Sequence, residues 1–351
     1  MQSTSGRFYK IGAELGSGTY GTVYSVTRDD GAHFAFKKFE KSSSTLDIGA
    51  LREISILNIL NNFPPESCLM KMEDIIVMDN EEQTVGIIMK RYNIDLYEAL
   101  RRKIITKKDR NRIAVKLLQA VVFLHDNGII HRDIKPENIL LDENLNPVLT
   151  DFTLSKVFTG VCMRGTHTGK IATVTYRAPE VVAKKAYGFP ADAWSLGVVL
   201  YELFTEKQLI VQKDTEALEF LYKKVPKFKG KIGNILRGLL NFDPKERWSA
   251  RRVLESKVFG NIQIQTSNIF TTINDCKVTN EVIDMCENFE VEKKVTRLAA
   301  QTYIDRTGCS IHSAVEIACK FYETDPIASE SDDFAHEEII ILKNMNYNLF
   351  I

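Results

Sequence analysis

Asp133, Lys135 and Asn138 fall within the run His131-Arg132-Asp133-Ile134-Lys135-Pro136-Glu137-Asn138-Ile139-Leu140-Leu141, which supplies a carboxylate, an amine and an amide in one short loop. In-line phosphoryl transfer requires those three groups. A carboxylate orients the acceptor hydroxyl and takes its proton, a cation neutralises charge on the moving group, and an amide oxygen ligates magnesium. Asp133, Lys135 and Asn138 suit these roles in that order. Thirteen residues after Asn138 comes Asp151-Phe152, whose carboxylate is a hard oxygen ligand for a magnesium ion bridging two phosphates. Upstream, Leu15-Gly16-Ser17-Gly18-Thr19-Tyr20-Gly21-Thr22-Val23 places three glycines where bare backbone amides could close over phosphates, although such a run also reads as a plain turn. Lys37, in Phe34-Ala35-Phe36-Lys37, stands at the spacing of a lysine that holds the α and β phosphates. Adjacent strand residues face opposite sides, so only one of Lys37 and Lys38 can enter the cleft, and the A-x-K pattern selects Lys37. Glu53, within Ala50-Leu51-Arg52-Glu53-Ile54-Ser55-Ile56-Leu57, is placed to pair with Lys37 and orient it; its plain alternative is a surface helical glutamate.

These groups need a scaffold that brings a hairpin near the start of the chain to a distant loop. Phe8 to Leu15, Gly21 to Arg28, His33 to Phe39 and Val85 to Met89 carry β-branched and aromatic residues between turn signals and read as strands. Arg112 to Asn127 repeats Ile113, Leu117, Ala120, Val121 and Leu124 along one face of a helix that closes at Asn127-Gly128. A small sheet thus precedes a helical body, an α+β arrangement. No internal repeat or low-complexity run appears, and the Ser-rich piece Ser42 to Thr45 is loop-sized. A length of 351 residues with 44% apolar content allows one large two-lobed domain plus a smaller one. The 46 basic and 46 acidic residues balance, so no overall field favours nucleic acid or a membrane surface. Six cysteines without a C-x-x-C pair point to a reducing compartment. The polar opening Met1 to Tyr9 and the lack of any stretch of about 18 apolar residues argue against secretion and membrane spanning. The expected address is cytoplasmic or nuclear.

Over roughly residues 8–259 the ordered motifs resemble the eukaryotic protein kinase family. Tyr176-Arg177-Ala178-Pro179-Glu180 resembles the end of its activation segment, Asp192 the aspartate that anchors the catalytic loop, and Arg247 the partner of Glu180. The resemblance implies a bilobal protein kinase fold, with a small β-sheet lobe and one key helix over about 8–90 and a large helical lobe over about 91–259. It implies ATP, Mg2+ and protein substrates, and Lys135 with Thr173 implies serine or threonine acceptors. Within the family the chain is similar to cyclin-dependent kinases. Ala50 to Ser55 matches their signature helix, Thr19 and Tyr20 stand at their inhibitory phosphorylation sites, and Thr168 at the activating one. A phosphate on Thr168 needs cations, and Arg52, Arg132 and Lys156 occupy the positions of the family's phosphate-binding cluster. Lys156 replaces an arginine there and offers a point charge in place of a fork. Arg177 implies a preference for proline after the acceptor, while Val174-Thr175 departs from the bulkier pair usual there. Two further departures stand out. Thr153 fills the place of a glycine after Asp151-Phe152, where a β-branched residue should restrict the backbone switch, and the stretch from Glu206 to Lys231 is short for a docking insert.

Residues 260–351 turn to helical periods, with candidate helices at Asn280 to Glu290, Val291 to Arg306, Ser310 to Tyr322 and Ala335 to Tyr347. Leu298 to Arg306, Ala314 to Glu323 and Glu337 to Met345 resemble an abbreviated cyclin box, although a plain helical bundle would show similar periods. The resemblance implies a small all-α domain that activates the kinase in cis, in place of a separate cyclin. A competing class is a pseudokinase scaffold that binds nucleotide without transfer. Thr153 supports it; retention of Lys37, Glu53, Asp133, Lys135, Asn138 and Asp151 opposes it.

Overall fold

The computed structural model describes residues 1–18, 21–39, 41–42, 45–46, 48–78, 84–157, 174–209 and 227–262. Thr19, Tyr20, Thr168, Thr173 and the cyclin-like segments named above lie outside the described residues.

Strands β1 (Tyr9–Gly18), β2 (Gly21–Arg28), β3 (His33–Phe39), β6 (Met72–Met78) and β7 (Thr84–Lys90) form one antiparallel sheet in the order β1-β2-β3-β7-β6. A short ribbon of β4 (Lys41–Ser42) and β5 (Thr45–Leu46) leads into helix α1 (Ile48–Leu60). The bounds of β2 and β3 match the expected ones. β1 runs further than expected, through Gly18, because its glycines stay paired with β2 and the Ser17 and Thr22 hydroxyls meet at 3.2 Å. The expected set lacked β6, whose buried Asp74 is a poor strand former. The Ser5 hydroxyl donates to that carboxylate at 2.5 Å and the Tyr9 hydroxyl at 3.3 Å, so its burial is compensated.

Alternation along β3 sorts its side chains. Phe36 joins Tyr9, Val26, Ile76 and Ile88 in a small core, and Lys37, one residue on, takes the other face. Gly86 of β7 makes room for this packing, since a Cβ there would sit 2.3 Å from the Phe36 ring and 2.5 Å from the Lys37 carbonyl oxygen. The main core takes Leu51, Ile54 and Leu57 of α1 together with the helical body. The end of α1 is fastened to β6. The Asn61 side chain exchanges hydrogen bonds of 2.8 and 2.9 Å with the Met72 backbone. Lys71 donates to the carbonyls of Leu60 and Phe63, placing a cation at the helix C-terminus where the peptide dipoles favour one.

Beyond the sheet, β8 (Ile94–Asp95) precedes α2 (Leu96–Arg101) and α3 (Lys107–Asp126). Thr106 and Asp109 form a reciprocal capping box at the start of α3. Its expected apolar face is buried, and so are Ala114, Leu118, Val122 and Phe123, because neighbours pack on more than one side of this helix. β9 (Ile129–Ile130) follows, then the hairpin of β10 (Ile139–Leu141) and β11 (Pro147–Leu149), and β12 (Lys156–Val157), which pairs with β9. Asp142 ties the hairpin turn by accepting from the backbone of Asn144 and Asn146 at 2.9 and 2.7 Å. α4 (Pro179–Val182), α5 (Pro190–Thr205), α6 (Gly230–Leu239) and α7 (Ala250–Glu255) complete the described body, with α5 buried without a break from Ala191 to Leu203.

Two buried polar contacts fasten α4 and the segment that leads into it. Arg247 grips Glu180 through two hydrogen bonds of 2.6 and 2.9 Å, a fork geometry that suits a carboxylate. The Tyr176 hydroxyl donates to Glu202 of α5 at 2.9 Å. Burial pushes the Glu202 carboxyl from the ordinary 4.5 up to about 7. Between those values the folded chain holds a proton that the unfolded chain has released, so stability falls as pH rises through this window. Urea unfolding at about pH 5 and about pH 8 should show a lower midpoint at the higher pH, and Glu202→Gln should flatten that difference.

Candidate active site

Three elements converge on one ammonium. β3 delivers Lys37, α1 delivers Glu53, and the loop after β11 delivers Asp151. Lys37 Nζ lies 2.6 Å from Glu53 Oε2 and 3.0 Å from Asp151 Oδ1. Burial works against the Lys37 charge, yet the two carboxylates hold its pKa above the ordinary lysine value. Burial pushes Glu53 up, Asp151 adds to that, and Lys37 and Thr153 oppose it. Burial also acts against the Asp151 charge, but Lys37 and Thr153 hold its carboxyl well below the usual range. Glu53 is therefore no surface glutamate; it is 1% exposed.

The second half of the site is the loop between β9 and β10. The Asp133 carboxylate accepts from Lys135 Nζ at 2.7 Å and from Asn138 Nδ2 at 2.8 Å through the same oxygen, Oδ2. Asn138 Nδ2 also reaches the Asp133 carbonyl at 2.9 Å, which commits the amide nitrogen and turns Asn138 Oδ1 into the atom left for a cation. The β10–β11 hairpin explains the spacing to Asp151. Ile139 pairs with Leu149, and the Thr150 amide donates to the Asn138 carbonyl at 3.0 Å, so Asn138 and Asp151 emerge at the same end of the hairpin.

A buried aspartate holds this loop in place. Asp192, near the start of α5, accepts the backbone amides of His131 and Arg132 at 2.8 Å each and the His125 Nε2 at 3.0 Å. Burial lowers the His131 pKa, leaving a neutral ring. Its Nε2 donates to the Thr150 carbonyl at 3.0 Å and its Nδ1 accepts from the Asp133 amide at 3.3 Å. The His131 ring also stands 5.0 Å from the ring of Phe152, which is fully buried. Arg132 and Asp151 have φ of 70° and 64°, left-handed conformations that cost roughly 1–3 kcal/mol each and persist only where contacts enforce them. In this arrangement the positive φ falls on Asp151 and not on Thr153, a conformation that a β-branched residue accepts. Thr153 enters the site through its side chain instead. Its hydroxyl lies 2.6 Å from Glu53 Oε2, 2.7 Å from Asp151 Oδ1 and 2.9 Å from Lys37 Nζ. Spacing alone gave no hint of that contact; a hydroxyl two residues after Asp151 was the available signal.

The residues present fit a nucleotide with a hard divalent cation. Among the described residues a Cβ at Gly16 would meet nothing and one at Gly18 only an ordinary contact, so packing there does not demand those two glycines. Gly21 is different: its φ of +150° and a Cβ position 2.3 Å from the Lys38 carbonyl oxygen make it structural. Leu15 is exposed, and Thr22 and Val23 are half-buried on the hairpin. Asn138 and Asp151 offer two oxygens, and magnesium characteristically completes its octahedron with phosphate and water. Of the cationic cluster, Lys156 pairs with Ile130 two residues from Arg132, and Arg132 donates to the Leu154 carbonyl and, at 3.1 Å, to the Tyr187 hydroxyl. Arg52 precedes Glu53 on α1 and is half-buried.

The two aspartates have different duties, and denaturant unfolding can tell them apart. Asp192→Ala strands two buried amides and should cost about 3–5 kcal/mol. Asp133→Ala removes a partly exposed carboxylate and should cost under about 1 kcal/mol.

The protein kinase domain profile matches residues 9–259. A Caenorhabditis elegans protein named cyclin-dependent kinase 4 homolog is 31% identical over 223 residues, 60% of this chain and 53% of that protein. The probable CTD kinase subunit alpha homolog of Encephalitozoon cuniculi is 30% identical over 206 residues, 58% of this chain and 59% of its own length. The CBL-interacting serine/threonine-protein kinase 15 of Arabidopsis thaliana is 32% identical over 269 residues, 72% of this chain and 61% of its own. The chain thus spans little more than half the length of these curated relatives. Matched over well more than half of its residues by that profile, and carrying its charged groups on a sheet followed by a helical body, the chain belongs to the protein kinase domain family.

Proposed function

We propose that this chain is an ATP-dependent serine/threonine protein kinase whose catalytic domain spans 8–259, with lobes at about 8–90 and 91–259. The observation that carries the reading is the joining of Lys37 to both Glu53 and Asp151 opposite an Asp133 held by Lys135 and Asn138. Lys37, oriented by Glu53, binds the α and β phosphates beneath the hairpin from Leu15 to Val23. Asp133 orients the acceptor hydroxyl and takes its proton, while Lys135 balances charge on the transferring group. Asn138 and Asp151 would hold magnesium, which supplies charge neutralisation at the phosphate oxygens. The scaffold reading leaned on Thr153, and a hydroxyl that joins Lys37, Glu53 and Asp151 gives it no support.

The finer reading is a cyclin-dependent-kinase-like enzyme. Similarity to the Caenorhabditis elegans cyclin-dependent kinase 4 homolog supports it, as does the signature helix that carries Arg52 and Glu53. In this reading Thr19, Tyr20 and Thr168 are regulatory phosphosites, and Arg52, Arg132 and Lys156 receive the phosphate on Thr168. Residues 260–351 form the cyclin-like activator, which replaces or supplements an external cyclin, and the enzyme works in the cytoplasm or nucleus on protein substrates with proline after the acceptor. Among the described residues no helix is long and apolar enough to cross a membrane.

Transfer of labelled phosphate from ATP and magnesium to paired Ser-Pro and Ser-Ala peptides tests these statements together. The full chain should phosphorylate both and favour Ser-Pro. Asp133→Asn should lower the rate by about 10²–10⁴-fold, the span attributed to a general base, while a chain ending at Phe259 should be slower. An Asp133→Asn variant as fast as the parent would contradict the kinase reading, and an undiminished shortened chain the activating tail.

A further inference from the structure

Thr153 is 1% exposed, and its hydroxyl oxygen touches all three charged groups of the Lys37 cluster. A hydroxyl has one proton and two lone pairs. Lys37 Nζ donates into one lone pair at 2.9 Å, so the proton serves one carboxylate at a time, Glu53 Oε2 at 2.6 Å or Asp151 Oδ1 at 2.7 Å. These are the same two oxygens that Lys37 contacts. Among the described residues, Lys37 and Thr153 are the two donors to the buried Glu53 carboxylate. With a glycine in place of Thr153, that carboxylate would keep Lys37 alone. The backbone at Thr153 does not need a glycine, since its φ is not positive.

We propose that Thr153 is a positioning residue: its hydroxyl is a rotating donor that keeps Glu53 paired with Lys37 whether or not Asp151 is engaged elsewhere. When Asp151 faces Lys37, the proton can bridge to either carboxylate. When Asp151 turns to a cation, the O–H points to Glu53, and the Lys37–Glu53 pair retains a second hydrogen bond. Lys37 therefore stays aimed at the phosphates through the metal-bound state. The proposal rests on the kinase reading above for its consequence in catalysis, but the link itself is a property of the chain's own side chains.

Two substitutions separate a positioning role from space filling. Thr153→Val keeps the shape and removes the hydroxyl; Thr153→Ser keeps the hydroxyl and removes a methyl group. In the full-length chain, kcat and the KM for peptide are measured with ATP and magnesium. In parallel, the rate at which an amine-reactive ester acylates Lys37 without nucleotide is followed by mass spectrometry of the modified peptide. Thr153→Val should lower kcat about tenfold with KM unchanged, equal to about 1.4 kcal/mol, and should speed Lys37 acylation about threefold or more as the amine loses a partner. Thr153→Ser should stay within about twofold of the parent in both, a difference below 1 kcal/mol. A Thr153→Val chain indistinguishable from the parent in kcat and in acylation overturns the proposal, as does a Thr153→Ser chain impaired as much as Thr153→Val. If the parent chain transfers no phosphate, the kinase reading falls by that result alone, and the acylation rates still decide the role of Thr153.

Discussion

One buried ammonium faces two carboxylates, the buried Glu53 and the half-buried Asp151, and the rest of the site is arranged around that imbalance. Removing Glu53 from water, and Asp151 in part, is costly unless each finds a partner. Lys37 is shared between them, at 2.6 and 3.0 Å, and the residual negative charge makes the cluster a natural neighbour for a hard cation and for phosphate bridged to it. The same requirement explains why three elements far apart in the chain meet here. β3 must present Lys37 on its inner face, α1 must be fastened at its end so that Glu53 reaches inward, and the β10–β11 hairpin must hold Asp151 beside Asn138.

A second layer of buried polar contacts supports this one without taking part in chemistry. Asp192 collects two backbone amides and a histidine, which holds the loop from His131 to Asn138 and sustains the left-handed Arg132. Arg247 closes a two-bond fork on Glu180 of α4. Such pairs add little net stability over apolar packing, but each admits one arrangement only. They therefore specify where the reactive groups sit, while the continuous apolar burial of α3 and α5 supplies the cohesion.

The grouping of the charged side chains was legible in the sequence because it depends on residue type at close spacing. Asp133, Lys135 and Asn138 share one loop, and strand alternation separates Lys37 from Lys38. The face of α3 was legible as well, since a 3.6-residue period survives any tertiary context. β6 was not, because its buried Asp74 contradicts strand propensity and is tolerated only through Ser5 and Tyr9, partners far away in sequence. The role of Thr153 was hidden for a related reason. Its residue type pointed to the backbone, and the hydroxyl contacts were not legible because their partners arrive from β3 and α1. Glu202 likewise owes its raised pKa to burial, which the hydrogen bond from Tyr176 opposes, and carries no local mark of it.

Joined at 2.6 Å, Lys37 and Glu53 should act as one unit in phosphoryl transfer. A double-mutant cycle measures this directly, with transfer rates for Lys37→Met, Glu53→Gln and the double variant of the full chain. If the pair is a unit, the double variant should be no slower than the slower single variant, a coupling of at least about 1 kcal/mol. Rate losses that simply multiply in the double variant would contradict the account, because the two side chains would then be contributing independently.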